Sequence, residues 1–215
     1  MRIRSSIFGS RNQFAQLVRD EHGGVMVEFA VVVTVFFFLF FTVVDIGRLA
    51  FSVVLAENAA GIAIRTAVVR PPACPGVPER HARGTATPAP RFGTSCKAAS
   101  GTCAAVATIT CSGDAANPTA SEIWNRVQNL LPANATIASL QFSYSFDSNL
   151  GFLGGPYTPM VSVDLNLPQF QFASPLGTLA TAAGAANAGQ LGANITYQNF
   201  GVSLPGEDLA LGDSG

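Results

Sequence analysis

Glu28 is the residue whose chemistry packing explains least. It is the lone acid in GGVMVEFAVVVTVFFFLFFTVV, residues 23–44. A carboxylate in hydrocarbon costs about 2.5–3.5 kcal/mol on insertion scales, so it needs a partner. Spacing supplies one. If the chain is cut between Gly23 and Gly24, the new α-amine lies four residues before Glu28, one turn away on the same helix face. Hydrolysis of that single bond would create the cation the acid lacks. The other reactive residues offer less. The cysteines, Cys74, Cys96, Cys103 and Cys111, lack the C-x-x-C spacing of a zinc site. Of the two histidines, His22 precedes the apolar run. His81 lies in a loop with no nucleophile elbow and no partner signal, so it is assigned no role. Asp147 and Asp164 resemble paired carboxylates only in number, since they fall at different strand positions and face water. There is no H-E-x-x-H, no phosphate loop and no dinucleotide fingerprint. We therefore expect no enzyme, no metal and no cofactor.

A basic leader, a glycine at the cut, a glutamate five residues into the mature chain and an apolar helix together resemble the type IV prepilin class. The likeness narrows over residues 19–67, RDEHGGVMVEFAVVVTVFFFLFFTVVDIGRLAFSVVLAENAAGIAIRTA. This stretch is similar to TadE-like segments in Glu28-Phe29-Ala30, in Gly47-Arg48 just past the apolar run, and in the small-residue helix from Ala56 to Arg65. Many relatives carry a proline near position 34. Thr34 stands here instead, which favours a straighter helix. The resemblance implies a minor pseudopilin of the tight-adherence (Flp) pilus. It would be cut by a prepilin peptidase between Gly23 and Gly24 and would use Glu28 in assembly. Its partners would be the inner membrane, other minor pilins and the major Flp pilin. The alternative is a single-pass envelope binding or scaffold protein that never enters a filament, with Glu28 snorkelling to the interface. A longer TadG-type relative would need a metal-binding adhesion domain, for which there is neither length nor a D-x-S-x-S.

Composition and charge agree with an exported, anchored chain. The net charge is -1, which gives no reason to expect nucleic acid as a partner. Arg2, Arg4, Arg11 and Arg19 precede the apolar run, whereas residues from 101 onward carry seven acids and only Arg126 as a base. By the positive-inside rule the N-terminus is cytoplasmic and the C-terminal part is periplasmic or in the filament. All four cysteines then lie on the oxidising side. An ordinary signal peptide would have a core of about 7–15 residues and an A-x-A-like site. This run is longer, contains Glu28 and has no such site before Leu49.

These features require an α+β fold, with a long N-terminal transmembrane and stalk helix followed by a small head holding an antiparallel β-sheet and one short helix. Residues 1–23 read as a leader. Residues 24–70 contain no proline, and Pro71-Pro72 stops the helix. Residues 24–44 would span the membrane and 45–70 would form an exported stalk, together about 70 Å of helix. Asp45, Gly47 and Arg48 mark the membrane edge; Asp45 and Arg48, three apart, could pair. The alanines of 56–67 suit close backbone approach, in a fibre core or against a sheet, or simply helix formation. Residues 71–103 read as a solvated loop holding Arg80, Arg83, Arg91 and Lys97. The head is 104–204. Ala105 to Thr110 reads as a strand, and Thr119-Ala-Ser-Glu122 as a capping box opening a helix with Ile123, Val127, Leu130 and Leu131 on one face, ended by Pro132. Leu140, Phe142, Tyr144 and Phe146 alternate with polar residues, as do Val161, Val163, Leu165 and Leu167, which predicts a half-buried hairpin with a long loop. Its aromatic face is core rather than ligand site. Residues 173–192 are too small and Gly-rich to assign. Ile195 to Val202 reads as a last strand and 205–215 as a mobile tail. Two Asn-x-Thr sequons, at Asn134 and Asn194, are read as chance.

Four cysteines allow three pairings. On a strand over 104–111, Cys103 and Cys111 would lie about 26 Å apart, against the roughly 5.5–6 Å a disulfide needs. That excludes Cys103–Cys111 together with Cys74–Cys96. Two pairings remain, and we favour Cys96–Cys103 with Cys74–Cys111, which would fasten the helix end to the first strand.

Overall fold

The computed structural model describes residues 21–172 and 194–209. The long helix, α1, is continuous over Glu21–Ala67. Its hydroxyls are satisfied within it: Thr34 Oγ1 donates to the Ala30 carbonyl at 2.7 Å and Thr42 Oγ1 to that of Phe38 at 2.8 Å. That is what an apolar surrounding demands of a polar side chain. The phenylalanines stack at four-residue spacing, Phe36 on Phe40 and Phe37 on Phe41. The helix ends three residues before the expected Arg70, because the residue ahead of each proline of Pro71-Pro72 is pushed out of the helical region and Val68–Arg70 turn away.

The described residues fall into two units, one containing α1 up to Arg48 and the other beginning at Leu49. The second unit holds the head. Its strands are β1 (Ile109–Ser112), β2 (Leu140–Ser145), β3 (Met160–Leu165) and β4 (Phe200–Pro205). They form one antiparallel sheet in the order β1-β2-β3-β4. Leu140 pairs with Leu165, Phe142 with Val163 and Tyr144 with Val161, so the predicted alternation puts six apolar side chains on one buried face. On the other face the Ser162 and Ser203 hydroxyls meet at 2.7 Å. Gly201 lies opposite Asp164 on that face, where a Cβ would collide with the carboxylate.

The buried face shares one core with the outer part of α1. Ala56, Ala59, Ala60, Ala63, Ile64, Ala67 and Val68 are all buried there. Their spacing of three and four residues makes a single stripe. The alanines are thus a helix-on-sheet contact within this chain. Helix α2 (Pro118–Val127) adds Ala120, Ile123 and Val127 to the same core. Each large side chain buried this way contributes about 1.5–3 kcal/mol.

Several elements differ from the sequence reading. The first strand is Ile109–Ser112 rather than 105–110, because only there does the backbone find Gln141–Tyr144 as partner. The capping box at Thr119 does not form. Asn117 is the N-cap, accepting from the Ala120 amide at 3.0 Å, with Pro118 in the first turn. Thr119 Oγ1 instead donates to the Pro71 carbonyl at 2.8 Å. The last strand starts at Phe200, and Ile195 makes only an isolated bridge to Phe170. The described part of the expected tail is fastened, since the Glu207 and Asp208 amides both donate to the Val68 carbonyl. The unassigned stretch 173–192 lies outside the described residues.

Candidate functional site

The candidate site is α1 and its attachment to the head. Gly23 and Gly24 both lie within α1, and Glu28 follows one turn after Gly24 on an exposed part of the helix. Around Gly24 there is open space where a side chain would stand. From Val25 to Ile46 the large apolar side chains other than half-buried Val33 are exposed: Val25 is 70% exposed, Phe29 67%, Phe36 60% and Val43 70%. With a mean hydropathy of 2.6 over an 18-residue stretch, this helix is long and apolar enough to cross a membrane. Asp45 does more than mark an edge, being buried and ion-paired to Arg48 at 2.9 Å. Gly47 is exposed with open space about it.

Where α1 ends, four kinds of contact hold the chain to the head. Val68 is capped by the amides of 207 and 208. Asn117 Nδ2 donates to the Pro72 carbonyl at 3.3 Å, beside the Thr119–Pro71 bond. Arg70 forks onto Glu122 at 3.0 and 3.3 Å, and Arg126 joins the same carboxylate. Hydrogen bonding from Arg70 is the main cause that holds the Glu122 carboxyl below its usual range. The Ala73 amide donates to the buried Tyr144 hydroxyl at 2.9 Å. Losing such a buried partner costs about 1–3 kcal/mol. Then Cys74 is bonded to Cys111 in β1, with Cα atoms 5.6 Å apart. None of these capping and hydroxyl contacts was legible in sequence, because each joins residues 45 to 140 positions apart.

The loop 71–103 keeps Arg80, Arg83, Arg91 and Lys97 exposed, as expected, but is anchored through buried Ala73, Cys74, His81, Cys96, Thr102 and Cys103. Its only regular piece is a 3-10 turn at Cys96–Ala98. It runs beside residues 150–158, with isolated bridges Arg80–Pro156 and Ser95–Phe152. Gly151, at φ +76, is required there because a Cβ would strike the His81 ring. Cys96 is bonded to Cys103, and both pack with Leu153 and Phe146 in a second small core. His81, which sequence reading left without a role, is buried beside them. Its ring lies 5.0 Å from that of Tyr157, and its Nε2 lies 3.1 Å from Thr158 Oγ1. Burial lowers the His81 pKa. Asp147 and Asp164 are not brought together: Asp164 stands beside Gln141 in the sheet, and Asp147 follows the far end of β2, bonded to Asn149.

No curated protein and no solved structure matches the chain. Residues 23–65 match the family model described as TadE-like protein. The match runs from the Gly23-Gly24 pair through Glu28, Gly47 and Arg48 to the alanine stripe, and the head lies outside it. Through this helix the chain is similar to TadE-like proteins of the tight-adherence pilus system.

Proposed function

We propose that this pilus-associated, pilin-like chain is a minor pilin, cut between Gly23 and Gly24 by a prepilin peptidase and then inserted through α1 into a filament that it caps or initiates. The N-terminus is cytoplasmic before cutting, residues 24–44 rest in the inner membrane, and the head is periplasmic or carried in the filament. Its partners are other minor pilins and the major Flp pilin.

The observation that carries this reading is one helix with two kinds of surface. Beyond Ala56 it buries an alanine stripe in its own head. From Val25 to Ile46 nearly all its large apolar side chains are exposed among the described residues. Such a surface needs a bilayer or other apolar helices as its cover. Lipid covers it before assembly, and neighbouring helices do so afterwards. Cutting at Gly24 adds the α-amine that offsets Glu28, in the same subunit or its neighbour.

N-terminal sequencing of membrane-extracted protein is expected to find Gly24 first. A chain still starting near Met1 in a host with active prepilin peptidase would overturn the processing step. Glu28→Val is expected to insert normally, since it removes a costly acid, but to be missing from sheared filament fractions. Its presence there at the wild-type level would favour an anchored protein that does not assemble.

A further inference from the structure

We propose that His81, Cys96 and Cys103 form a zinc site when the Cys96–Cys103 disulfide is reduced. One His81 ring nitrogen and the two sulfurs lie within 4.8 Å of one another. All three residues are buried, at 3%, 3% and 5% exposure. Tetrahedral zinc with Zn–S of about 2.3 Å and Zn–N of about 2.0–2.1 Å sets ligand separations of about 3.6–3.8 Å. With the disulfide open, Cα atoms 5.1 Å apart leave room for the sulfurs to part to that spacing by side-chain rotation.

The imidazole has one unpartnered nitrogen. Its Nδ1 is buried with no hydrogen-bond partner. Such an orphan is costly in a folded protein. Its Nε2 accepts from the Thr158 amide at 3.2 Å and lies 3.1 Å from Thr158 Oγ1, so the neutral ring carries its proton on Nδ1. Zinc binding at Nδ1 moves that proton to Nε2, which then donates to Thr158 Oγ1 in place of the bond from the amide. This is the outer-shell arrangement that orients a metal-binding histidine. Two thiolates and an imidazole are the donors that suit zinc. The sulfurs also have an entry path, since Cys96 and Cys103 line a surface groove of about 710 Å³ with Arg83, Lys97 and Phe146. Water from that groove completes the fourth position.

The chemistry balances. A dithiol reductant gives two electrons and two protons to the Cys96–Cys103 bond and itself becomes a disulfide. Zn²⁺ then displaces both thiol protons to solvent. The resulting centre, one dication with two thiolates and a neutral imidazole, carries no net charge. The short loop thus has two closures, a disulfide where the surroundings oxidise and a zinc clasp where they reduce. This inference does not depend on the pilin reading.

The test uses the full chain in detergent micelles, reduced with a phosphine without oxygen, then titrated with Zn²⁺ against a chromophoric chelator and with Co²⁺ for thiolate-to-metal absorption. One equivalent is expected to bind, to survive Cys74→Ser/Cys111→Ser and to vanish in Cys96→Ser/Cys103→Ser. His81→Ala and the more conservative His81→Gln are both expected to weaken binding at least about ten-fold, and Thr158→Val about 10–100-fold. Absence of the Co²⁺–thiolate band in the reduced chain would overturn the proposal. So would binding that follows Cys74 and Cys111, or wild-type affinity in both His81 variants.

Discussion

His81 is held where its charged form has no partner, and burial is the cause that lowers its pKa below the usual 6.5. Around its ring stand Thr158, Phe146 and Tyr157, and none offers a negative charge. The unfolded chain therefore binds a proton at a pH where the folded chain does not. The stability this gives the neutral form is fully present above about pH 6.5. It is lost as pH falls below that value and through the lower folded pKa. Urea unfolding of the full chain in micelles, followed by the fluorescence of its single tryptophan, Trp124, is expected to show stability declining over this window. In His81→Gln the part of the decline owed to this ring is expected to vanish. An unchanged slope would mean that the ring is solvated in the folded state. Glu28 is a different case, since under the proposed processing its partner is a cation created by cleavage rather than anything its own fold supplies.

At the scale of elements, the alanine stripe decides how α1 meets the sheet. Ala59, Ala60 and Ala63 are completely buried, so there is no room for a longer side chain. Ala60→Leu is expected to lower head stability by about 1–3 kcal/mol through overpacking, measured by the Trp124 unfolding transition. Val35→Leu, in the exposed apolar stretch, is expected to leave that transition unchanged. Equal effects would mean that the two halves of the helix meet similar surroundings. The same stripe explains why the helix holds Ala beyond residue 55 but Val and Phe before Ile46: one surface approaches a backbone layer, the other is exposed.

For the whole molecule, the two disulfides have unequal reach. Cys74–Cys111 closes 37 residues and Cys96–Cys103 closes 7. By loop entropy the first is worth about 4 kcal/mol and the second about 2 kcal/mol. Denaturation of the head in Cys74→Ser/Cys111→Ser is expected to show the larger loss, because that bond joins the chain leaving α1 to β1. A larger loss from Cys96→Ser/Cys103→Ser would place the main constraint in the loop layer instead.

What the sequence by itself determined was whatever repeats locally. The apolar run with Gly23, Gly24 and Glu28, the proline stop at Pro71-Pro72, and the alternation in β2 and β3 are periodic signals within a few residues, and they specify helix, hairpin and buried face. The strand assumed for 104–111, which removed the Cys103–Cys111 pairing, proved to cover only Ile109–Ser112. Whether a backbone with little side-chain pattern pairs depends on which strand is beside it. Tertiary structure alone decided the partners of Thr119, Tyr144 and Val68, the start of β4 at Phe200, and the burial of His81. Each is settled by a group far away in the chain. A hydroxyl or an imidazole carries no sequence mark of the donor or acceptor that folding will bring to it.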